Sequence, residues 1–258
     1  MTLNSPIDLI KYEAVGAPFA KSNVLLIWGH GWGQDRRSLS LLAAGLPRCT
    51  HILIDFPGFG QSPLPSETWG TIAYADACAG LIDRYRQNAR KVVWVGHSFG
   101  GRVGIQLAAR HPSQIDGLCL IAAAGLPRRR GFYQSIRMKV RVLAYKSVKR
   151  LSRLLKRDLE PLKTKFGSAD YRNAGPLREI FVKVINEDLA EAARRIDTPC
   201  LLIYGARDSE TPPDIGRRLS KLINRSELCV LANQDHYSVL DSGRHQVIKR
   251  ISEFCGKL

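Results

Sequence analysis

Short runs of branched apolar residues recur along this chain with amphipathic helical patterns between them, and that alternation restricts the fold more than any other feature. The runs Val24–Trp28, His51–Asp55, Val92–Val95, Leu118–Ala122, Cys200–Tyr204 and Leu228–Leu231 are rich in Val, Ile and Leu and too short for helices. They read as buried strands. Helical periodicity lies between and after them, near Arg37–Gly45, Ile72–Arg86, Gly101–Arg110, Asp214–Leu222 and Gln246–Phe254. A series of βαβ units predicts an α/β fold built on a doubly wound, mostly parallel sheet. The stretch from Ile7 to Val15 adds a hairpin or an antiparallel edge strand. With 258 residues the chain can bury the core of one large domain.

The rhythm breaks after Gly125. From Leu126 to about Asp197 no buried strand pattern occurs. Ile136, Val140, Leu143, Val148, Leu151 and Leu155 recur at helical spacing with Arg and Lys between them. A second helical pattern runs through Leu177, Ile180, Phe181, Val184, Ile185 and Leu189. We therefore expect residues 1–125 and 198–258 to form the sheet core and residues 126–197 to form an inserted helical lid over the sheet's C-terminal edge. The lid also concentrates the charge. Between Leu126 and Lys165 fourteen Lys or Arg face only Asp158 and Glu160, in a chain of formal net charge +16.

Ligands of an open parallel sheet bind where strands hand over to helices at their carboxyl ends, so those junctions hold the candidate site. In chain order they read His30-Gly31-Trp32-Gly33, then Asp55-Phe56-Pro57-Gly58-Phe59-Gly60-Gln61-Ser62, then Gly96-His97-Ser98-Phe99-Gly100-Gly101. Gly205-Ala206-Arg207-Asp208 and Gln234-Asp235-His236 follow the last two strands. A serine, an acid and a histidine thus stand at three strand ends, in the order Ser…Asp…His. That order, with Gly-His-Ser-Phe-Gly at a strand-to-helix bend, resembles the α/β-hydrolase family and its nucleophile elbow. The resemblance covers nearly the whole chain outside the lid and implies a serine hydrolase.

The chemistry this implies is specific. A serine hydroxyl is a poor nucleophile without an adjacent base, and the bend flanked by Gly96 and Gly100 would expose the Ser98 hydroxyl. His236, alone of the six histidines in following the last strand, is the candidate base. Asp208 would hold its tautomer and offset its charge; Asp235 and Glu210 compete for that role, and Asp235 reads better as a turn residue. Backbone N–H groups of Trp32 and Phe99 would form the oxyanion hole. His30 and His97 are expected to shape the site without acting in catalysis, and DFPGFGQS to be a structural turn.

Several functions are excluded or disfavoured. DFPGFGQS lacks the lysine and spacing of a phosphate-binding loop. Family members that open epoxides or displace halide carry aspartate where this chain has Ser98, whereas the triad alone leaves cofactor-free perhydrolysis open. No metal-ligand spacing or CxxC pair accompanies the six cysteines, so no cofactor and no metal are expected. The opening residues MTLNSPIDLIKYEAVG have neither a basic leader nor a long apolar stretch, which points to a cytoplasmic protein.

Within the family, HGWG and DFPGFGQS are similar to the carboxylesterase group that acts on pimeloyl-acyl-carrier-protein methyl esters, although the lid sequence differs. The resemblance implies an acyl ester substrate cleaved by an acyl-enzyme mechanism. Lid arginines, Arg137, Arg141 and Arg153 among them, are candidates for substrate or partner binding. An acidic acyl carrier protein would suit them. An anionic membrane surface would also, and so would plain solvation. Nucleic acid is disfavoured, because aromatic residues are not interleaved as nucleic-acid modules require. A carbon–carbon bond hydrolase of the ring-cleavage-product type and a non-catalytic binding module remain the alternatives. No motif fixes an oligomeric state.

Overall fold

The computed structural model describes residues 6–128 and 169–258. Seven strands form one sheet: β1 (Lys11–Gly16), β2 (Val24–Gly29), β3 (Thr50–Asp55), β4 (Lys91–His97), β5 (Gly117–Ile121), β6 (Cys200–Gly205) and β7 (Ser226–Leu231), in the order β1-β3-β2-β4-β5-β6-β7. Only the β1–β3 pair is antiparallel; the other neighbours run parallel. The helices are α1 (Ser40–Ala44), α2 (Thr71–Arg86), α3 (Phe99–Arg110), α4 (Ala169–Asn173), α5 (Arg178–Asn186), α6 (Ala190–Arg194), α7 (Pro213–Leu222) and α8 (Arg244–Lys257). The Arg37–Gly45 pattern forms as a 3-10 turn over Arg36–Leu39 followed by α1. Among the described residues no helix is long and apolar enough to cross a membrane.

Side chains alternate across each strand, and this sorts the interior into two cores. On one face Leu25, Ile27, Ile52, Trp94, Leu118 and Leu202 pack under α2, α3, α6 and α7. On the other, Leu26, Trp28, Leu53, Val95, Ile121 and Ile203 pack under α1 and α8. The central strands are buried on both faces, which is why they read as unbroken apolar runs.

Two expectations needed correction. Leu228–Leu231 is not a buried strand: β7 is the sheet's edge, and only Leu231 in it is fully buried. An edge strand has one neighbour and one covered flank, so its apolar content mimics a central strand while its exposure does not. Leu189 lies outside the second lid helix, which ends at Asn186 and is followed by a short break before α6. Ile7–Val15 resolves into a 3-10 turn at Pro6–Leu9 and the antiparallel edge strand β1. The first lid pattern, Ile136 to Leu155, and the arginines Arg137, Arg141 and Arg153 lie outside the described residues.

The described segment from residue 169 to residue 197 is tied firmly to the sheet and its helices. The Leu189 amide donates to the Gly125 carbonyl at 2.8 Å, so the chain leaving β5 meets the chain returning to α6. Arg102 of α3, a buried guanidinium, donates to the carbonyls of Val184 and Glu187 at 2.9 and 3.1 Å. The Glu187 carboxylate in turn accepts from the Thr71 amide at the start of α2, where an acid is favoured by the helix's exposed N–H groups.

Candidate active site

The third junction turns as sharply as its glycines suggest. Ser98 sits at φ 49, ψ −103, in the left-handed half of backbone space that costs a non-glycine residue about 1–3 kcal/mol. The surroundings hold it there. Its amide donates to Ile121 O at 3.0 Å, and its carbonyl accepts from Gly101 and Arg102 at 3.1 and 3.3 Å. Two residues to either side, no side chain fits. A Cβ on Gly96 would lie 2.3 Å from the Gly100 carbonyl oxygen, and one on Gly100 would lie 2.0 Å from that of Gly29. Gly96 lets β4 close on the first turn of α3, and Gly100 lets that turn close on the end of β2.

Three strand ends bring their side chains together at this bend. His236 Nε2 is 3.0 Å from Ser98 Oγ, and His236 Nδ1 is 2.8 Å from Asp208 Oδ2. Asp208 and His236 are buried, while Ser98 is partly open. The second Asp208 oxygen accepts from the amides of Glu210 and Thr211 at 2.8 and 2.7 Å. Burial pushes the Asp208 carboxyl up, but the His236 bond and charge and the Thr211 contacts outweigh it and leave the carboxyl below its usual range. Asp208 is therefore an anion beside the imidazole.

The competing acids are placed elsewhere. Asp235 accepts from the amides of Tyr237 and Ser238 at 3.0 and 2.8 Å, forming a turn on the surface. Glu210 approaches the other ring nitrogen, with Oε2 3.6 Å from His236 Nε2. Neither reaches Nδ1, where Asp208 sits.

Supporting groups surround the three. His97 Nε2 lies 3.1 Å from the His236 carbonyl oxygen and its Nδ1 3.3 Å from Gln34 Oε1. Burial, reinforced by the nearby His236 ring, lowers the His97 pKa to about 3. His30 accepts the Phe56 amide at Nε2, 3.1 Å, and donates from Nδ1 to Gly31 O, 2.8 Å; burial lowers its pKa to about 4. Both rings are neutral scaffolding. In the DFPGFGQS turn the Asp55 carboxylate accepts from the Arg36 and Gln61 amides and pairs with the Arg36 guanidinium. Gly60, at φ +54, leaves that carboxylate its space.

Trp32 lies in the turn after β2 and Phe99 opens α3, with their rings 5.5 Å apart and edge-on. Neither backbone amide donates to any other described residue. Phe181 of α5 packs on Trp32 at 5.0 Å and Phe59 at 4.9 Å, giving the turn an aromatic wall.

Thr211 was not legible beforehand. Its hydroxyl lies 2.8 Å from Asp208 Oδ2, 3.1 Å from His236 Nδ1 and 2.9 Å from Ala122 O. A hydroxyl three residues after a candidate acid is the one local signal that could have flagged it. Gln34, which also accepts the Gly31 amide, had no such signal.

Comparison with known proteins agrees with this architecture. The family model described as "Alpha/beta hydrolase family" matches residues 24–250. The chain belongs to the alpha/beta hydrolase family. It is 30% identical over 239 residues to a pimeloyl-[acyl-carrier protein] methyl ester esterase of Neisseria meningitidis serogroup C, covering 87% of this chain and 90% of that protein. Among solved structures, a lipase-esterase related protein from Clostridium acetobutylicum superposes with a TM-score of 0.72 at 18% identity, over 95% of this chain and 99% of that one. The enol-lactonase from Burkholderia xenovorans LB400 gives 0.69 at 20% identity, over 96% and 95%. At such identities the structures share the fold alone.

Proposed function

We propose that this alpha/beta hydrolase cleaves a carboxylic ester or thioester through an acyl-enzyme formed on Ser98. The observation that carries the proposal is the continuous hydrogen-bond chain from Asp208 through His236 to Ser98 Oγ, at 2.8 and 3.0 Å. His236 Nε2 takes the hydroxyl proton as Oγ attacks the acyl carbon, then returns it to the departing alcohol or thiol oxygen or sulfur. Asp208 holds the Nδ1 proton and offsets the imidazolium charge. Water then cleaves the acyl-enzyme by the same proton path. The free amides of Trp32 and Phe99 are the donors we assign to the oxyanion, each worth roughly 100-fold or more in turnover.

The acyl group we favour is one carried by an acyl carrier protein. The supporting facts are the 30% identity to an esterase named for such a substrate and the basic segment from Leu126 to Lys165. We read residues 169–197 as the described part of a cover over the site, since Phe181 of α5 rests on Trp32. Arg137, Arg141 and Arg153, outside the described residues, belong to the basic segment we assign to partner binding.

Purified protein should turn over short p-nitrophenyl esters and be labelled by a fluorophosphonate, and Ser98→Ala should lower turnover by at least ~10⁴-fold. A folded protein with neither property sinks the proposal. For the carrier, kcat/KM on a carrier-linked ester should fall steeply with salt while a small neutral ester responds little. Equal salt response removes the carrier.

A further inference from the structure

Glu210 stands next to the reacting atoms without a part in the proposed chemistry. Its Oε2 lies 3.6 Å from His236 Nε2, the nitrogen that also faces Ser98 Oγ. That nitrogen must protonate the leaving oxygen, so the leaving oxygen comes within hydrogen-bond reach of it. Whatever the oxygen carries therefore passes within a few ångströms of the Glu210 carboxylate.

The backbone that carries this side chain is fixed. The Glu210 amide donates to Asp208 Oδ1 at 2.8 Å, and its carbonyl accepts from Arg128. The side chain is 45% exposed, whereas that of His236 is 6% exposed. Tyr237 stands beside it, 54% exposed, its ring perpendicular to that of His236 at 5.1 Å. Partial burial, followed by the Glu210 and Asp170 carboxylates, raises the Tyr237 phenol's pKa, so two acids bear on this corner of a strongly basic chain. A carboxylate beside an open aromatic face attracts alkylammonium groups and repels anions.

We propose that Glu210, with Tyr237 beside it, selects the alcohol half of the ester, favouring cationic over anionic leaving groups. The inference rests on the ester-hydrolase reading above. Unit charges roughly 5 Å apart in a water-like dielectric change a rate about fourfold in each direction. A cationic alcohol should therefore gain about fifteenfold on an anionic one of equal size.

The test uses three acetate esters of matched shape: those of choline, of 3,3-dimethylbutanol and of 2-hydroxyethanesulfonate. Their kcat/KM values are measured at one ionic strength for the parent, Glu210→Gln and Glu210→Lys. Intrinsic reactivity cancels when each ester is compared with itself across variants. In Glu210→Gln the choline-to-sulfonate ratio should fall about fifteenfold, with the neutral ester between the two, and in Glu210→Lys it should fall further. A ratio unchanged in both variants overturns the inference, as does an equal change for all three esters, which would mean that Glu210 acts only through the imidazole. If the parent cleaves none of the esters and Ser98 resists a fluorophosphonate, the hydrolase reading fails and takes this inference with it. Charge-blind turnover leaves that reading standing and removes only the selectivity.

Discussion

Lowering the pH from 8 to 5 should cost this protein about 4 kcal/mol of folding stability through two imidazoles alone. His30 and His97 are fully enclosed, and burial drops their pKa values to about 4 and about 3, from an ordinary 6.5. In the unfolded chain both regain the ordinary value, so between the two values the unfolded state binds more protons and stability falls with pH. At pH 8 neither state is protonated and the contribution vanishes. At pH 5 the unfolded imidazole lies 1.5 units below its pKa, which stabilises the unfolded state by about 2 kcal/mol per ring. His51, bonded to the Trp28 indole and the Leu46 carbonyl, is also lowered by burial and adds in the same direction. Urea denaturation at fixed ionic strength reads the difference directly. His97→Asn removes one titrating ring, so its own loss between pH 8 and 5 should be about 2 kcal/mol smaller than the parent's. Stability that is level from pH 8 to 5, or a variant as pH-sensitive as the parent, would refute the picture of neutral, enclosed rings.

Three further outcomes follow from contacts around the bend. Asp208→Asn should reduce kcat by about 10⁴-fold without rescue by Glu210, which lies at the wrong nitrogen; steady-state kinetics with a short ester checks this. Gly100→Ala drives a methyl into the Gly29 carbonyl, so it should lower stability by roughly 1–3 kcal/mol or more and disturb the strand end that carries His30, visible as a lower denaturation midpoint and a lower kcat. Thr211→Val strips a hydrogen-bond partner from Asp208 and Ala122. A loss of about 1–3 kcal/mol is expected from the unpaired buried groups, together with a slower turnover at unchanged KM.

The central strands and the three converging side chains were legible because both are written locally. A strand buried on two faces must be apolar throughout, and the residue after it lands at the sheet's carboxyl edge whatever the rest of the chain does. Ser98, Asp208 and His236 could be read from that rule, and the glycines around Ser98 marked the bend. Tertiary packing wrote the rest. Whether Leu228–Leu231 is covered depends on a neighbouring strand, and among the described residues β7 has one on one side only. Which nitrogen Glu210 approaches depends on the turn from Asp208 to Thr211, and the Gln34–His97 contact joins residues 63 positions apart. Arg102 carried no signal in the sequence, since its burial depends on the carbonyls of Val184 and Glu187, more than 80 residues away.

The 2.8 Å bond between Gly125 and Leu189 means that the long excursion between β5 and α6 begins and ends at the same point in space. Closing a loop costs only logarithmically more as it lengthens. The part of the excursion before α5 can therefore change in length at little cost to the sheet, whereas α5 and Glu187 must stay, because they supply the acceptors of the buried Arg102 guanidinium. A chimera exchanging only the residues between Gly125 and α5 would keep both the Gly125–Leu189 bond and the Arg102 contacts.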